Sequence, residues 1–111
     1  MVMVSLNYVK SEGIMSTVSI RKTMGDDYAA IKAAVDQVIA DIGGIEDIIK
    51  PGYKVIIKPN LVACPTDRLS GGVTRWEVCL AIYEAVKALG AEPVIAESSA
   101  AGADTELTIA K

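Results

Sequence analysis

The segment that decides the fold reads Tyr53-Lys54-Val55-Ile56-Ile57-Lys58-Pro59-Asn60-Leu61-Val62. A short aliphatic run bounded by turn signals is typical of a buried strand. Pro59 ends the ladder of such a strand because proline has no N–H to donate. The sequence therefore predicts a buried parallel strand whose carboxyl end delivers Lys58 and Asn60 into a crevice.

Upstream of this segment, the pattern predicts one strand and one helix. Residues 17–21 alternate β-branched and polar side chains, which indicates a strand. Residues 25–27 supply a turn and an N-cap. From Tyr28 to Ile42, apolar residues recur at gaps of three and four positions, which predicts a helix that stops at the glycine pair 43–44.

The segment itself is flanked by a turn and a long loop. Residues 50–53, Lys-Pro-Gly-Tyr, predict a type II turn before the strand. Residues 59–73 form a connection long enough to suggest a functional role. Thr74 and Glu77 then fit a capping box at the start of a second helix, which is expected to end near Leu89.

A third strand is predicted at residues 94–96, followed by the polar residues 97–99. Residues 104–106 resemble another N-cap with an acidic first turn. The order β-α-β-α-β-(α) predicts an α/β fold with a three-stranded, mostly parallel sheet, a three-layer Rossmann-like fragment.

Two domain-level expectations follow from the ends of the chain. Residues 1–14 lack a clear period, so we expect a loosely attached extension, or a natural start at Met15; an additional edge strand within residues 2–9 is the alternative. Residues 15–111 are expected to be an incomplete α/β domain. The last helical pattern stops within two turns, which suggests truncation at the carboxyl end.

Composition narrows the classes of function. The net charge is −3, with 11 basic and 14 acidic residues interspersed, which argues against a nucleic-acid partner. No stretch approaches the ~20 apolar residues of a membrane span, and no secretory leader is recognisable, so we expect no membrane partner and a cytoplasmic location. Histidine is absent, and neither Cys64 nor Cys79 belongs to a C-x-x-C motif, so no cofactor is expected within this chain.

Polar residues cluster where the predicted strands end. Ligands of open α/β sheets bind outside the carboxyl ends of the strands, and helix amino ends face the same edge. Residues 22–23, 58–60 and 97–99 should converge there. The chemistry of this edge suits a small anionic ligand. The candidate ligand-binding residues are Lys58, Asn60, Thr74, Arg75, Glu97 and Ser98.

Each candidate also has a structural interpretation. Lys58 could simply reach solvent, Asn60 could brace the loop turn, and Thr74 could serve only as a helix cap. Glu97 and Ser98 could be ordinary strand-end polarity. The sequence carries neither a Walker pattern nor a G-x-G-x-x-G after the first strand. Nucleotide binding by these familiar motifs is therefore weakly supported, and the residues do not decide whether the chain is an enzyme.

The chain resembles the amino-terminal part of the family called domain of unknown function 362. The resemblance is carried by residues 55–62, with Lys-Pro-Asn as its most distinctive piece, by Val73-Thr74, and by residues 94–98. The strand at 18–20 and the turn at 50–52 also fit, so the expected match spans roughly residues 16–109.

Members of this family are typically longer, and many carry a ferredoxin-like segment with two four-iron clusters. The resemblance therefore implies that any 4Fe–4S clusters would lie in a missing downstream segment, because no cluster-ligand motif is present here. The family commonly has Thr-His-Pro where this chain has residues 74–76, Thr-Arg-Trp. Arg75 could replace the histidine as an anion clamp but not as a proton shuttle.

Three hypotheses of function remain. The leading one is a piece of a cytoplasmic α/β protein that binds a small anionic ligand within an iron–sulfur-linked redox protein. The rival is a non-catalytic half-domain that docks on a ferredoxin-like domain or subunit and contributes only packing. The third is a gene fragment without independent activity.

Overall fold

A computed structural model of the chain describes residues 17–61 and 72–97, together with the backbone of residues 2–6. The elements in chain order are β1 (Val2–Leu6), β2 (Thr17–Arg21), α1 (Tyr28–Asp41), β3 (Lys54–Ile57), α2 (Trp76–Ala88) and β4 (Glu92–Ile95). They divide between an amino-terminal unit, Met1–Ile48, and a carboxyl-terminal unit, Ile49–Lys111. The chain is therefore α/β, as predicted.

In the amino-terminal unit, β1 and β2 form an antiparallel pair. Their register runs from Val2 opposite Arg21 to Leu6 opposite Thr17. The position of β1 corresponds to the alternative left open for residues 2–9, an additional edge strand. The antiparallel pairing gives β2 a partner that the sequence did not predict for it.

Helix α1 begins and ends where its capping residues predict. The Asp27 carboxylate accepts a hydrogen bond from the Ala30 N–H at 2.9 Å, which satisfies one of the unpaired donors of the first turn. At the other end, Gly43 and Gly44 have φ values of +93° and +83°. Glycine adopts this left-handed conformation without the steric cost that a Cβ adds, so the helix stops there.

One face of α1 forms the core of this unit. Ile31, Ala34, Val35 and Val38 are buried at the three- and four-residue spacing of an amphipathic helix. The helix packs on β1 and β2. Within β2 only Ser19 is buried, because the strand turns alternate side chains to opposite faces.

The last residue of α1 is tied to β2 through its carboxylate. Arg21 donates Nε to Asp41 Oδ2 at 2.7 Å and Nη2 to Oδ1 at 2.8 Å. Ser19 donates its hydroxyl to Oδ2 at 2.6 Å, and Gln37 donates to Oδ1 at 3.1 Å. This bidentate, charge-assisted geometry fixes the end of the helix on the strand.

Replacing Asp41 with asparagine is expected to lower the melting temperature and to flatten its dependence on pH. The hydrogen bonds from Arg21 and Ser19 hold the pKa of the Asp41 carboxyl well below its usual range. Since the unfolded-state pKa is about 3.9, the stabilisation is complete above that value. It is lost as the pH falls toward the lower folded-state pKa.

Thermal melts between about pH 7 and about pH 2 measure this effect; the gap between wild type and Asp41→Asn should shrink below about pH 4. The matched control is Asp36→Asn on the same helix, where Lys32 Nζ lies 2.9 Å from the Asp36 carboxylate in an exposed pair. The control should move the melting temperature by less than about 2 °C. Equal losses for both variants would contradict the role assigned to Asp41.

The described residues of the carboxyl-terminal unit form a β-α-β crossover. β3 and β4 pair in parallel, with Lys54 beside Glu92 and Ile57 beside Ile95. The predicted turn precedes β3, since the Tyr53 N–H donates to the Lys50 carbonyl at 3.1 Å. Helix α2 connects the two strands and packs on both of them. Its buried side chains, with Ala91 after the helix, make the core of this unit.

The predicted three-stranded, Rossmann-like sheet is not confirmed. Within the described residues, β2 pairs with β1 and the parallel sheet contains only β3 and β4. An alternating strand can pair on either edge and in either direction, so its pattern did not select its partner. The predicted division into residues 1–14 and 15–111 stays a prediction, and the expected helix after residue 104 lies outside the described residues.

Candidate functional site

The two parallel strands bring a lysine and a glutamate to one edge of the sheet. The Ala96 N–H donates to the Ile57 carbonyl at 3.0 Å, so the ladder continues just past the strand ends. Lys58 and Glu97 come next, and their side chains form an ion pair. The Glu97 side chain is 11% exposed and that of Lys58 is 69% exposed, so the lysine side chain is largely accessible to solvent while the glutamate side chain is largely covered.

A second pair joins the chain on either side of residues 62–71. The Asn60 N–H donates to Thr74 Oγ1 at 2.8 Å, and the Thr74 N–H donates to the Asn60 carbonyl at 3.0 Å. Leu61 and Val73 form an antiparallel bridge beside them. These contacts fix Asn60 next to Thr74 just beyond the carboxyl end of β3.

The predicted capping box is wrong. Helix α2 begins at Trp76, its N-cap residue is Arg75, and no side chain caps it. Thr74 lies one residue too early, and its hydroxyl oxygen accepts from the Asn60 N–H instead of from the helix. A contact between residues 14 positions apart therefore replaces the local contact that the capping pattern implied.

Glu77 takes a different role from the predicted one. Its carboxylate accepts from Arg75 Nη2 at 2.8 Å and from Arg75 Nε at 3.2 Å. The Glu77 side chain is only 3% exposed and that of Arg75 is 21% exposed. This bidentate pair holds the guanidinium at the amino end of α2. An arginine two residues before a glutamate at a helix start is the signal that could have identified it.

The structure thus groups the candidates as pairs: Lys58 with Glu97, and Asn60 with Thr74, while Arg75 is held by Glu77. Ser98 lies outside the described residues, as does Cys64. The expected convergence of residues 22–23 with this edge is not confirmed, because β2 belongs to the other sheet.

Other residue types add little to this site. Cys79 is buried in α2, and burial raises the pKa of its thiol, as expected for a small core residue. In the described part of the chain, no three histidine, cysteine, aspartate or glutamate side chains are grouped as a metal site would require. The helices within those same residues are too short or too polar to cross a membrane.

Comparison with known proteins gives a family and one curated relative. A family model described as Domain of unknown function (DUF362) matches residues 55–111, which is more than half of the chain and begins at β3 rather than at residue 16. A thylakoid-associated protein of Synechocystis sp. is 29% identical over 91 residues, which cover 80% of this chain and 27% of the relative. No solved structure matches the chain.

Proposed function

This chain belongs to the DUF362 family of domains of unknown function, and we propose that it binds a small anionic ligand at the carboxyl ends of β3 and β4. The observation that carries the proposal is the ion pair between Lys58 and Glu97 at that edge. Ligands of open α/β sheets bind at this position because the strand ends and the helix amino ends meet there.

The ion pair favours a particular class of anion. Lys58 has three N–H donors on a side chain that is 69% exposed, so a carboxylate or phosphate oxygen can bind beside Glu97. Glu97 repels an added negative charge, but it accepts a hydrogen bond from a neutral hydroxyl on the same molecule. A hydroxylated carboxylate or a phosphorylated alcohol satisfies both groups better than a bare anion does.

The remaining candidates would complete the site. Thr74 Oγ1 already accepts from the Asn60 N–H, so its hydroxyl hydrogen can be donated to a ligand. Arg75 lies at the amino end of α2, where the helix dipole favours negative charge. In this proposal Asn60 and Ser98 supply further polar contacts, and Glu77 positions the Arg75 guanidinium.

Inorganic phosphate is the probe for this proposal, and isothermal titration calorimetry on the full chain is the measurement. Lys58→Ala should weaken phosphate binding by about tenfold, because a charge-assisted hydrogen bond contributes about 1.5–3 kcal/mol before losses to solvent. Asn60→Ala should weaken it by a smaller factor. The control is Lys87→Ala, which removes an exposed ammonium that lies over the Tyr83 ring near the far end of α2.

Circular dichroism establishes that each variant keeps its fold. Phosphate affinity that is the same in wild type, Lys58→Ala and Lys87→Ala would refute the site. A loss shared by Lys58→Ala and Lys87→Ala would show that only general positive charge matters.

The wider setting of the site is also part of the proposal. The family resemblance supports an iron–sulfur-linked redox protein whose clusters would lie downstream of this chain, and a Rossmann-like arrangement around the β3-α2-β4 crossover. We place the protein in the cytoplasm. The Synechocystis relative is named a thylakoid-associated protein, so association with thylakoids is the competing location, and fractionation of cell extracts separates the two.

A second candidate function is a non-catalytic half-domain that docks on a ferredoxin-like domain or subunit. It is favoured by Val18 and Ile20 of β2, which are 52% and 56% exposed on the face of the strand opposite Ser19. Neighbouring exposed aliphatic side chains on a strand are typical of a surface that a partner covers. This candidate gains if Lys58→Ala leaves phosphate binding unchanged.

A further inference from the structure

The sheet of β3 and β4 has one covered face and one open face. Alternate side chains of a strand point to opposite faces. On the face where α2 packs, Pro93 is buried, Val55 and Ile57 are half-buried, and Ile95 is 48% exposed at the strand end. Ile56 is 68% exposed on the other face, where its register partner Val94 is half-buried.

The open face carries a basic residue on β3 and an acidic residue on β4. On β3, Lys54 shares the face of Ile56, and on β4, Glu92 shares the face of Val94. Lys54 Nζ lies 4.0 Å from Glu92 Oε1, and these side chains are 65% and 70% exposed. One strand of the face is therefore basic and aliphatic, and its neighbour is acidic and aliphatic.

We propose that this open face binds the same face of a second copy of the chain. A two-fold axis parallel to the strands would place β3 of one copy over β4 of the other. Lys54 would then lie opposite the partner's Glu92, and Ile56 opposite the partner's Val94. A two-fold axis makes each contact twice, so the contact between Lys54 and the partner's Glu92, which have opposite charges, forms at two places in the interface.

One further observation supports a partner on this face. Parallel sheets normally have both faces covered, so an open aliphatic face on a parallel pair calls for a partner. The face is small beside the ~800 Å² per partner of a standard interface, so the dimer should be weak and sensitive to salt.

Sedimentation velocity of the full chain between about 10 µM and about 1 mM tests this proposal, since weak dimers populate only at high concentration. The wild type should shift from monomer to dimer over this range. Lys54→Glu should raise the dissociation constant by at least about tenfold. The substituted side chain would face the partner's Glu92 with the same charge, and the two-fold axis makes this contact twice. Lys54→Glu combined with Glu92→Lys should restore the dimer, since the swap recreates both opposite-charge contacts.

The matched control is Lys22→Glu, an exposed lysine outside β3 and β4, which should leave the dissociation constant within about twofold at fixed ionic strength. A wild type that stays monomeric throughout would overturn the proposal and leave the face to another segment of a longer family member. So would a double variant that stays monomeric while folded. Lys54 and Glu92 are not candidate ligand-binding residues, so this test is independent of phosphate binding.

Discussion

Replacing Ile31 with alanine should lower the free energy of unfolding of the amino-terminal unit by about 2–5 kcal/mol. Ile31 is 2% exposed on the buried face of α1, which it shares with Val35 and Val38. Truncation removes buried aliphatic atoms and leaves a cavity that a close-packed core closes only in part. Ile31 is the largest of the fully buried side chains of α1, so this change should be the most damaging aliphatic truncation in that helix. Small domains are stable by only about 5–15 kcal/mol, so the loss is a large part of the total.

Urea unfolding followed by far-ultraviolet circular dichroism measures the loss. The matched control is Ile48→Ala, which removes the same atoms from the same unit at a site that is 47% exposed. It should cost about 1 kcal/mol or less, because much of that side chain is already in water. If both variants lose the same free energy at an unchanged denaturant slope, Ile31 is not the core residue that its burial indicates.

The parts of the fold that were predictable are those with local causes. Asp27 caps α1, Gly52 takes the left-handed position of the turn before β3, and both contacts involve residues only a few positions apart. The partner of β2 has no such local cause. Its alternation indicates a strand with one buried face, but the same pattern fits a parallel or an antiparallel neighbour, and the pairing with β1 is set by the rest of the unit.

The candidate site shows the same division. That Lys58 and Glu97 meet was predictable, because the carboxyl ends of parallel strands share an edge of the sheet. The hydrogen bond of Thr74 was not predictable. Its hydroxyl oxygen can accept from a helix N–H or from the Asn60 N–H, and sequence spacing favours the nearer donor. Helix capping and the hydrogen bond from Asn60 both use the Thr74 hydroxyl oxygen, so the two contacts compete.

Replacing Arg75 with methionine should destabilise the carboxyl-terminal unit by about 3–5 kcal/mol, the cost of removing one partner of a buried ion pair. The Glu77 carboxylate is only 3% exposed and receives two N–H groups from the Arg75 guanidinium. Methionine keeps much of the aliphatic stem but supplies no charge. The carboxylate would then stay in a low-dielectric site without the Arg75 charge, which offsets part of its desolvation.

The experiment that isolates this cause is a double-mutant cycle of Arg75→Met and Glu77→Met, with urea unfolding as the measurement. Removing both charges leaves no unbalanced carboxylate, so the double variant should recover most of the loss of Arg75→Met. Glu84→Gln, on the exposed side of the same helix, should change the free energy of unfolding by less than about 0.5 kcal/mol. Additive losses in the cycle would instead mean that Arg75 stabilises the unit by packing alone. The Glu77 carboxylate would then have no part in holding the guanidinium that the ligand site requires.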